Sequence, residues 1–212
     1  FVVFVFLLCG CLGLLFACVF FWLLVVYWLT ASAVVLSSFV SHLQAGGVIA
    51  YPTEGVWGLG CLPGDEAAVY CVLSLKARPV EAGLILVAGQ VSQVDAYLSE
   101  VTQDQRRLLM SRWPGPVTFL IPDEKIAPVW IRGQHNSVAI RVSTHPTIVD
   151  LCDAVGPIVS TSANPRGENP ARTIQEAEAY FGDNILYVLG ETGGLGKPSQ
   201  IIDLRTGEEI RR

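Results

Sequence analysis

Two short basic and polar runs in this chain have the residue types to hold an anion. Lys76 and Arg78 stand one residue apart just before Pro79, at the end of a helical pattern. Ser160, Thr161, Ser162 and Asn164 place four hydroxyl or amide side chains in five residues directly after the apolar run Ile158–Val159. In open α/β sheets ligands bind at the carboxyl ends of strands, so the second run fits a binding rim, with an ordinary Ser/Asn turn as the plain alternative. The Lys-x-Arg pair reads either as half of a nucleotide site or as cations capping a helix C-terminus. Arg141, inside the apolar run Val138–Val142, either lies on an edge facing water or is aimed at an anion.

These residues need a scaffold, and the stretch Gly47–Arg78 begins it. Val48–Tyr51 suits a short buried strand that Pro52 must stop, having no N–H to donate, so that Thr53 and Glu54 are presented at its end. Gly58 and Gly60 allow close backbone approach, and Asp65 is a fitting N-cap for a helix running through Leu75. Further strands are expected at 84–88, 117–121, 138–142, 157–159, 185–188 and 200–204, with a final short strand after Thr206–Gly207. Helices are expected at 31–45, after Thr102, from Pro146 to Gly156 and from Thr173 to Phe181. Thr102 with Gln105 and Thr173 with Glu176 have capping-box spacing. Residues 122–137 read as an irregular excursion. Strands and helices alternate, with short turns near the C-terminus, which predicts an α/β fold with an open, twisted, mixed sheet and flanking helices.

Of 212 residues, 51% are hydrophobic and 16% charged, enough for one domain with a sizeable core and an additional segment. That segment comes first: Phe1–Leu29 has no charged residue, and the first formally charged side chain is Glu54. Its length and polarity suit a bilayer-spanning helix, but no Lys or Arg flanks it, so neither the positive-inside pattern nor a signal peptide's charged start is present. Residues 1–30 are therefore expected to be an upstream translated segment or a membrane anchor, with a signal peptide the third choice, and residues 31–212 the functional domain. A net charge of −5 argues against a general polyanion-coating protein while leaving room for a local basic pocket. Cys61, Cys71 and Cys152 are scattered singly and no CxxC occurs, which points to a reduced compartment and gives no zinc site.

Several familiar motifs fail on counting. Gly194–Lys197 is not a phosphate loop, because Glu191 stands where its first glycine belongs and Pro198 replaces the metal-binding hydroxyl. Gly58-x-Gly60 lacks the third dinucleotide glycine, with Pro63 in its place. No G-x-S-x-G elbow exists, the three histidines give no triad, and His145 with Cys152 gives no metal set.

YPTEGVWGLG at 51–60, LKARPVEAGLILVA at 75–88, RWPGPVTFLIP at 112–122, VAIRVSTHP at 138–146, VSTSANPRG at 159–167 and GETGGLGKPSQIID at 190–203 resemble, collinearly, the YrdC/TsaC family of threonylcarbamoyl-AMP synthases. The length matches its short bacterial TsaC type. The resemblance implies an open twisted α/β sheet with a concave basic face. It implies a cytoplasmic enzyme that joins L-threonine, bicarbonate or CO2, and ATP into L-threonylcarbamoyl-AMP and pyrophosphate. The product would pass to a separate transferase complex that modifies tRNA. By position, Lys76 and Arg78 match the residues that hold the triphosphate; Ser160, Ser162 and Asn164 match the nucleotide segment, with Arg172 and Ser199 on the nucleotide side. Thr53 and Arg141 match the threonine-binding residues, and Lys76, Arg78 and Arg141 the catalytic ones. Mg²⁺ is expected with ATP and no dedicated metal cage in the protein. Gly55, Trp57 and Ala82 depart from the usual pattern, Ala82 replacing a lysine of many short members. The apolar front segment has no counterpart, and a membrane anchor would be odd for an enzyme of ATP and tRNA. The competing reading is a non-catalytic protein of the same fold that holds tRNA or other structured RNA.

Overall fold

The computed structural model describes residues 34–123 and 126–211. The expectations placed on residues 1–30 fall outside that range. Contacts divide the chain into two compact units, Phe1–Ser38 and Phe39–Arg212. Of the first, residues 34–38 are described and helical. The second opens with helical residues 39–44 (α1), in which Phe39 and Leu43, four apart, are both buried, and Gly46 at φ 82° lets the chain turn out. Among the described residues no helix is long and apolar enough to cross a membrane.

The core of the second unit is a mixed sheet of nine described strands. In chain order these are β1 (Ile49–Pro52), β2 (Trp57–Gly60), β3 (Ile85–Ala88), β4 (Val117–Pro122), β5 (Ser137–Val142), β6 (Ile158–Ser162), β7 (Leu186–Tyr187), β8 (Gln200–Asp203) and β9 (Glu209–Arg211). Their spatial order is β7-β1-β2-β6-β3-β5-β4-β8-β9. β1 and β7, β3 and β5, and β4 and β8 run parallel, and the other neighbours are antiparallel. The helices are α2 (Glu66–Leu75), α3 (Gln103–Met110), α4 (Val129–Arg132), α5 (Pro146–Val155) and α6 (Ile174–Phe181). Buried Leu59, Leu86, Phe119, Ile140 and Val159 from five strands, with Val69 and Val72 of α2 and Leu109 of α3, form one continuous apolar cluster. Trp113 packs edge-on against Phe119, ring centroids 5.5 Å apart, and its Nε1 donates to Val117 O at 2.8 Å.

Where the local chemistry was strong, the elements form as expected. Asp65 Oδ1 accepts Ala68 N at 3.0 Å, starting α2. Thr102 and Gln105 close a reciprocal capping box on α3. Pro146 opens α5, and Gly156 at φ 80° ends it.

Four differences have physical causes. The glycine-loosened segment 57–60 is a strand, β2, paired to β1 from Ile49↔Gly60 to Pro52↔Trp57. Its glycines lower strand propensity but are required by packing: a Cβ on Gly60 would lie 2.0 Å from Val159 O and 3.2 Å from the Tyr51 ring. The excursion 122–137 contains the helical turn α4, held by Gly133 N donating to Val129 O at 2.8 Å. The strand expected at 185–188 shortens to two residues at the sheet edge, β7. At α6, Thr173 Oγ1 accepts Glu176 N at 3.2 Å, but the Glu176 carboxylate takes Arg172 N at 2.6 Å, one residue before the cap, so the expected box is half formed.

Candidate functional site

The central strands bring the polar residues together. Thr53 follows β1, which pairs with β2, which pairs with β6; Arg141 lies on β5 between β3 and β4, so an edge position is excluded. A cavity of about 230 Å³ opens over these strands. Thr53, Arg78, Arg141, Ser160, Ser162 and Ser199 line it, with Arg132, His135, Ser137 and Arg211. Among the described residues the lining therefore includes four arginines and no Asp or Glu.

Thr53 is fixed by its own turn. Its Oγ1 donates to Val56 O at 2.7 Å and accepts Gly55 N at 3.3 Å, and the residue is buried. The segment 191–199 is laid over this turn: Gly193 N donates to Thr53 O at 2.9 Å and Leu195 N to Glu54 O at 3.1 Å. A Cβ on Gly55 would come within 1.8 Å of Lys197 O, so only glycine permits this contact.

Arg141 is buried, and its Nη1 lies 3.4 Å from Glu54 Oε2. Glu54 Oε1 accepts from Ser143 Oγ at 2.6 Å and from Thr144 N at 3.1 Å. Burial pushes the Glu54 carboxyl up, but Arg141 and the hydrogen bonds from Ser143 and Thr144 outweigh it and hold the group below the ordinary glutamate range. Arg141 Nε and Glu54 Oε2 are buried without a hydrogen-bond partner among the described residues. The guanidinium is therefore held in place by one carboxylate while retaining donors for another anion beside the cavity.

Lys76 and Arg78 have different surroundings. The Lys76 ammonium donates to Ser162 O, to Asn164 O at 2.6 Å and to Asn164 Oδ1 at 3.5 Å. Neither Lys76 nor Asn164 is among the cavity-lining residues. Lys76 thus ties the end of α2 to the end of β6, which is a different contact from capping its own helix. Burial and then Arg78 push its pKa down to about 8, against the favourable carbonyl contacts. Arg78 reaches the cavity and donates through Nε and Nη2 to Gly83 O, at 3.0 and 2.9 Å, and through Nη2 to Ala82 O at 2.9 Å. Burial, then Arg166, lowers its pKa.

Ser199 Oγ lies 2.9 Å from Thr118 Oγ1, and its carbonyl accepts both Nε and Nη2 of Arg211. Burial of the Arg211 guanidinium lowers its pKa, and Arg141 and Arg78 lower it further, consistent with several cations facing one cavity. Arg172 is apart: it lines a second hollow with Glu176, Tyr180 and Lys197. Arg132, His135, Ser137 and Arg211 were not singled out as site residues from sequence. Arg132 ends the short helical turn α4, His135 lies in the loop after it, Ser137 opens β5 and Arg211 is on the terminal strand β9, positions that no periodicity marks for binding.

A sequence profile of the Sua5/YciO/YrdC family, described as "Telomere recombination", matches residues 41–212. The chain belongs to this family. A threonylcarbamoyl-AMP synthase of Marinobacter nauticus is 52% identical over 170 residues, covering 79% of this chain and 90% of that protein. The solved structure of P. abyssi Sua5 complexed with L-threonine is similar with a TM-score of 0.75 and 29% identity, covering 82% of this chain and 52% of that longer one. E. coli YciO gives a TM-score of 0.71 at 26% identity, covering 84% of this chain and 90% of its own. The expected open mixed α/β sheet with flanking helices is the architecture of this Sua5/YciO/YrdC chain.

Proposed function

We propose that this chain is an L-threonylcarbamoyladenylate synthase, a nucleotidyltransferase acting with ATP, L-threonine and bicarbonate or CO2 in the cytoplasm. The observation that carries this reading is a cavity that gathers Thr53, Ser160, Ser162, Ser199 and four arginines with no acidic side chain among the described lining residues. Such a lining suits a polyanionic nucleotide and an amino-acid carboxylate together.

The chemistry needs no protein nucleophile. The neutral amine of threonine adds to CO2 and loses a proton, giving a carbamate. A carbamate oxygen then attacks the α-phosphorus of ATP, the bond from that phosphorus to the bridging oxygen breaks, and pyrophosphate leaves with the electron pair. What the protein must supply is placement of the two substrates and cations against the gathering negative charge. In this reading Arg141 takes the threonine carboxylate and Thr53 faces the amino acid. Arg78, Ser160, Ser162 and Ser199 contact the nucleotide. Lys76 and Asn164 form and steady the Ser162–Asn164 segment, and Arg172 lies at the nucleotide side in the neighbouring hollow. Lys76, Arg78 and Arg141 are the residues on which catalysis depends most. The four lining arginines support a concave basic face.

Mg²⁺ is expected to arrive on the phosphates of ATP. Among the described residues the lining has no carboxylate and no three His, Cys, Asp or Glu side chains gather, so these residues do not fit a dedicated Mg²⁺ cage. No protein step above depends on the ion. The catalytic unit is residues 31–212, supported by the family match over 41–212 and the compact unit from Phe39. The product serves N6-threonylcarbamoyladenosine formation in tRNA through a separate transferase complex.

The test is transfer of label from bicarbonate into an adenylate that also contains threonine, resolved by mass. The expected product requires all three substrates. ATP binding with no such adenylate, together with salt-sensitive tRNA binding, would favour the RNA-holding alternative.

A further inference from the structure

One wall of the cavity is made of two loops joined through their backbones. Leu84 N donates to Ile131 O at 2.8 Å and Gln134 N to Glu81 O at 3.2 Å. The loops approach so closely that a Cβ on Gly83 would lie 2.9 Å from Arg132 O, and one on Gly133 would lie 2.4 Å from Glu81 O. Both glycines also have positive φ, 62° and 67°. Arg78 is tied to the first loop through the carbonyls of Ala82 and Gly83. Arg132 is carried by the second. The two guanidinium groups therefore belong to one rigid wall of one cavity.

Arg132 is incompletely compensated there. Its Nη1 donates to His135 O at 2.8 Å, while its buried Nε lies 3.4 Å from Asp123 Oδ2 and has no hydrogen-bond partner among the described residues. The Asp123 carboxylate is shared with backbone amides: Oδ1 accepts Ile126 N at 2.8 Å, and both oxygens accept Ala127 N at 3.3 Å. A guanidinium so placed is oriented by its neighbours yet retains charge and donors for an incoming anion.

We propose that Arg132 is a phosphate-binding residue of this cavity, acting with Arg78 on the outer phosphates of a nucleoside triphosphate. This rests on the reading that the cavity holds ATP. The β- and γ-phosphates carry most of the charge of ATP, and a planar arginine fork that lines the cavity beside Arg78 is suited to them. In the same reading the amino acid is taken by a separate group, Thr53 and Arg141 with Glu54 holding Arg141, so losing Arg132 affects nucleotide binding and leaves threonine binding intact.

The test compares ATP with AMP, which lacks the outer phosphates, by calorimetry on the full chain and on Arg132→Gln. ATP binding should weaken about tenfold, equivalent to about 1.4 kcal/mol, while AMP binding stays within about twofold. Equal weakening of both ligands, or unchanged ATP binding, overturns the proposal. If the variant does not fold, the wild-type chain decides: ATP, but not AMP, should slow phenylglyoxal modification at Arg132, and modification unaffected by ATP overturns the assignment. A wild-type chain that binds ATP but makes no threonine-dependent pyrophosphate refutes the synthase reading, while the ATP and AMP comparison still judges Arg132.

Discussion

Replacing Glu54 by Gln should destabilise the protein by about 3 kcal/mol, the low end of the cost of breaking a buried ion pair. The side chains of Arg141 and Glu54 are only 6% and 10% exposed, so water screens them little. The amide keeps an oxygen for Ser143 Oγ and Thr144 N, which spares part of the hydrogen bonding. It removes the charge that strengthens both bonds and takes from Arg141 its counter-ion among the described residues, where its Nε already has no partner. For a chain of this length the loss corresponds to a fall in Tm of about 6–12 °C. Urea unfolding of wild type, Glu54→Gln, Arg141→Met and the double variant measures it. The double variant should be more stable than the sum of the singles by at least about 1 kcal/mol, since Met leaves no charge for the amide to abandon. The pH dependence has a defined sign. With the Glu54 pKa held down in the folded state, its contribution is full above the unfolded value and is lost as pH falls through the folded one, so the variant should lose less stability on acidification. A Glu54→Gln cost under about 0.5 kcal/mol, or additive singles, would refute the view that this pair fixes Arg141.

Gly60→Ala should cost more than about 2 kcal/mol in the same unfolding assay, because its Cβ would lie 2.0 Å from Val159 O and force β2 from β6. Gly55→Ala should leave the core intact but displace the 191–199 segment, whose Lys197 O would lie 1.8 Å from the new Cβ; the expected result is a raised threonine KM with a smaller change in Tm. With Lys76 pushed down to about 8, its ammonium discharges as pH rises through that value. Activity should then fall on an alkaline limb, and Lys76→Arg, whose guanidinium keeps its charge to far higher pH, should move that limb out of range if it retains activity.

The legible parts of the fold were those with local chemistry. Asp65, Thr102 and Pro146 mark helix starts because a cap or a missing N–H acts within a few residues. β2 was less visible, because Gly58 and Gly60 lower its strand propensity and their reason lies in Tyr51 and the distant Val159 carbonyl. In the site, Arg141 stood out as a charge in an apolar strand, and Ser160–Asn164 as polar residues after one. The Lys-x-Arg spacing marked Lys76 and Arg78 but could not show that the first ties β6 to α2 while the second reaches the cavity. Thr53 and Glu54 were both visible at a strand end. That Glu54 anchors Arg141 depends on Ser143 and Thr144, which follow β5 about ninety residues later. Arg132 is placed by contacts between two loops and Arg211 by the pairing of the short terminal strand β9 with β8, neither of which shows locally.

The most direct measurement is pyrophosphate release from ATP by the full chain in the presence of bicarbonate and Mg²⁺, with and without L-threonine, alongside Arg141→Met. Threonine-dependent release that falls sharply in the variant, while ATP binding persists, is the result expected of the synthase. Pyrophosphate release independent of threonine, or none from folded protein that binds ATP, would contradict it.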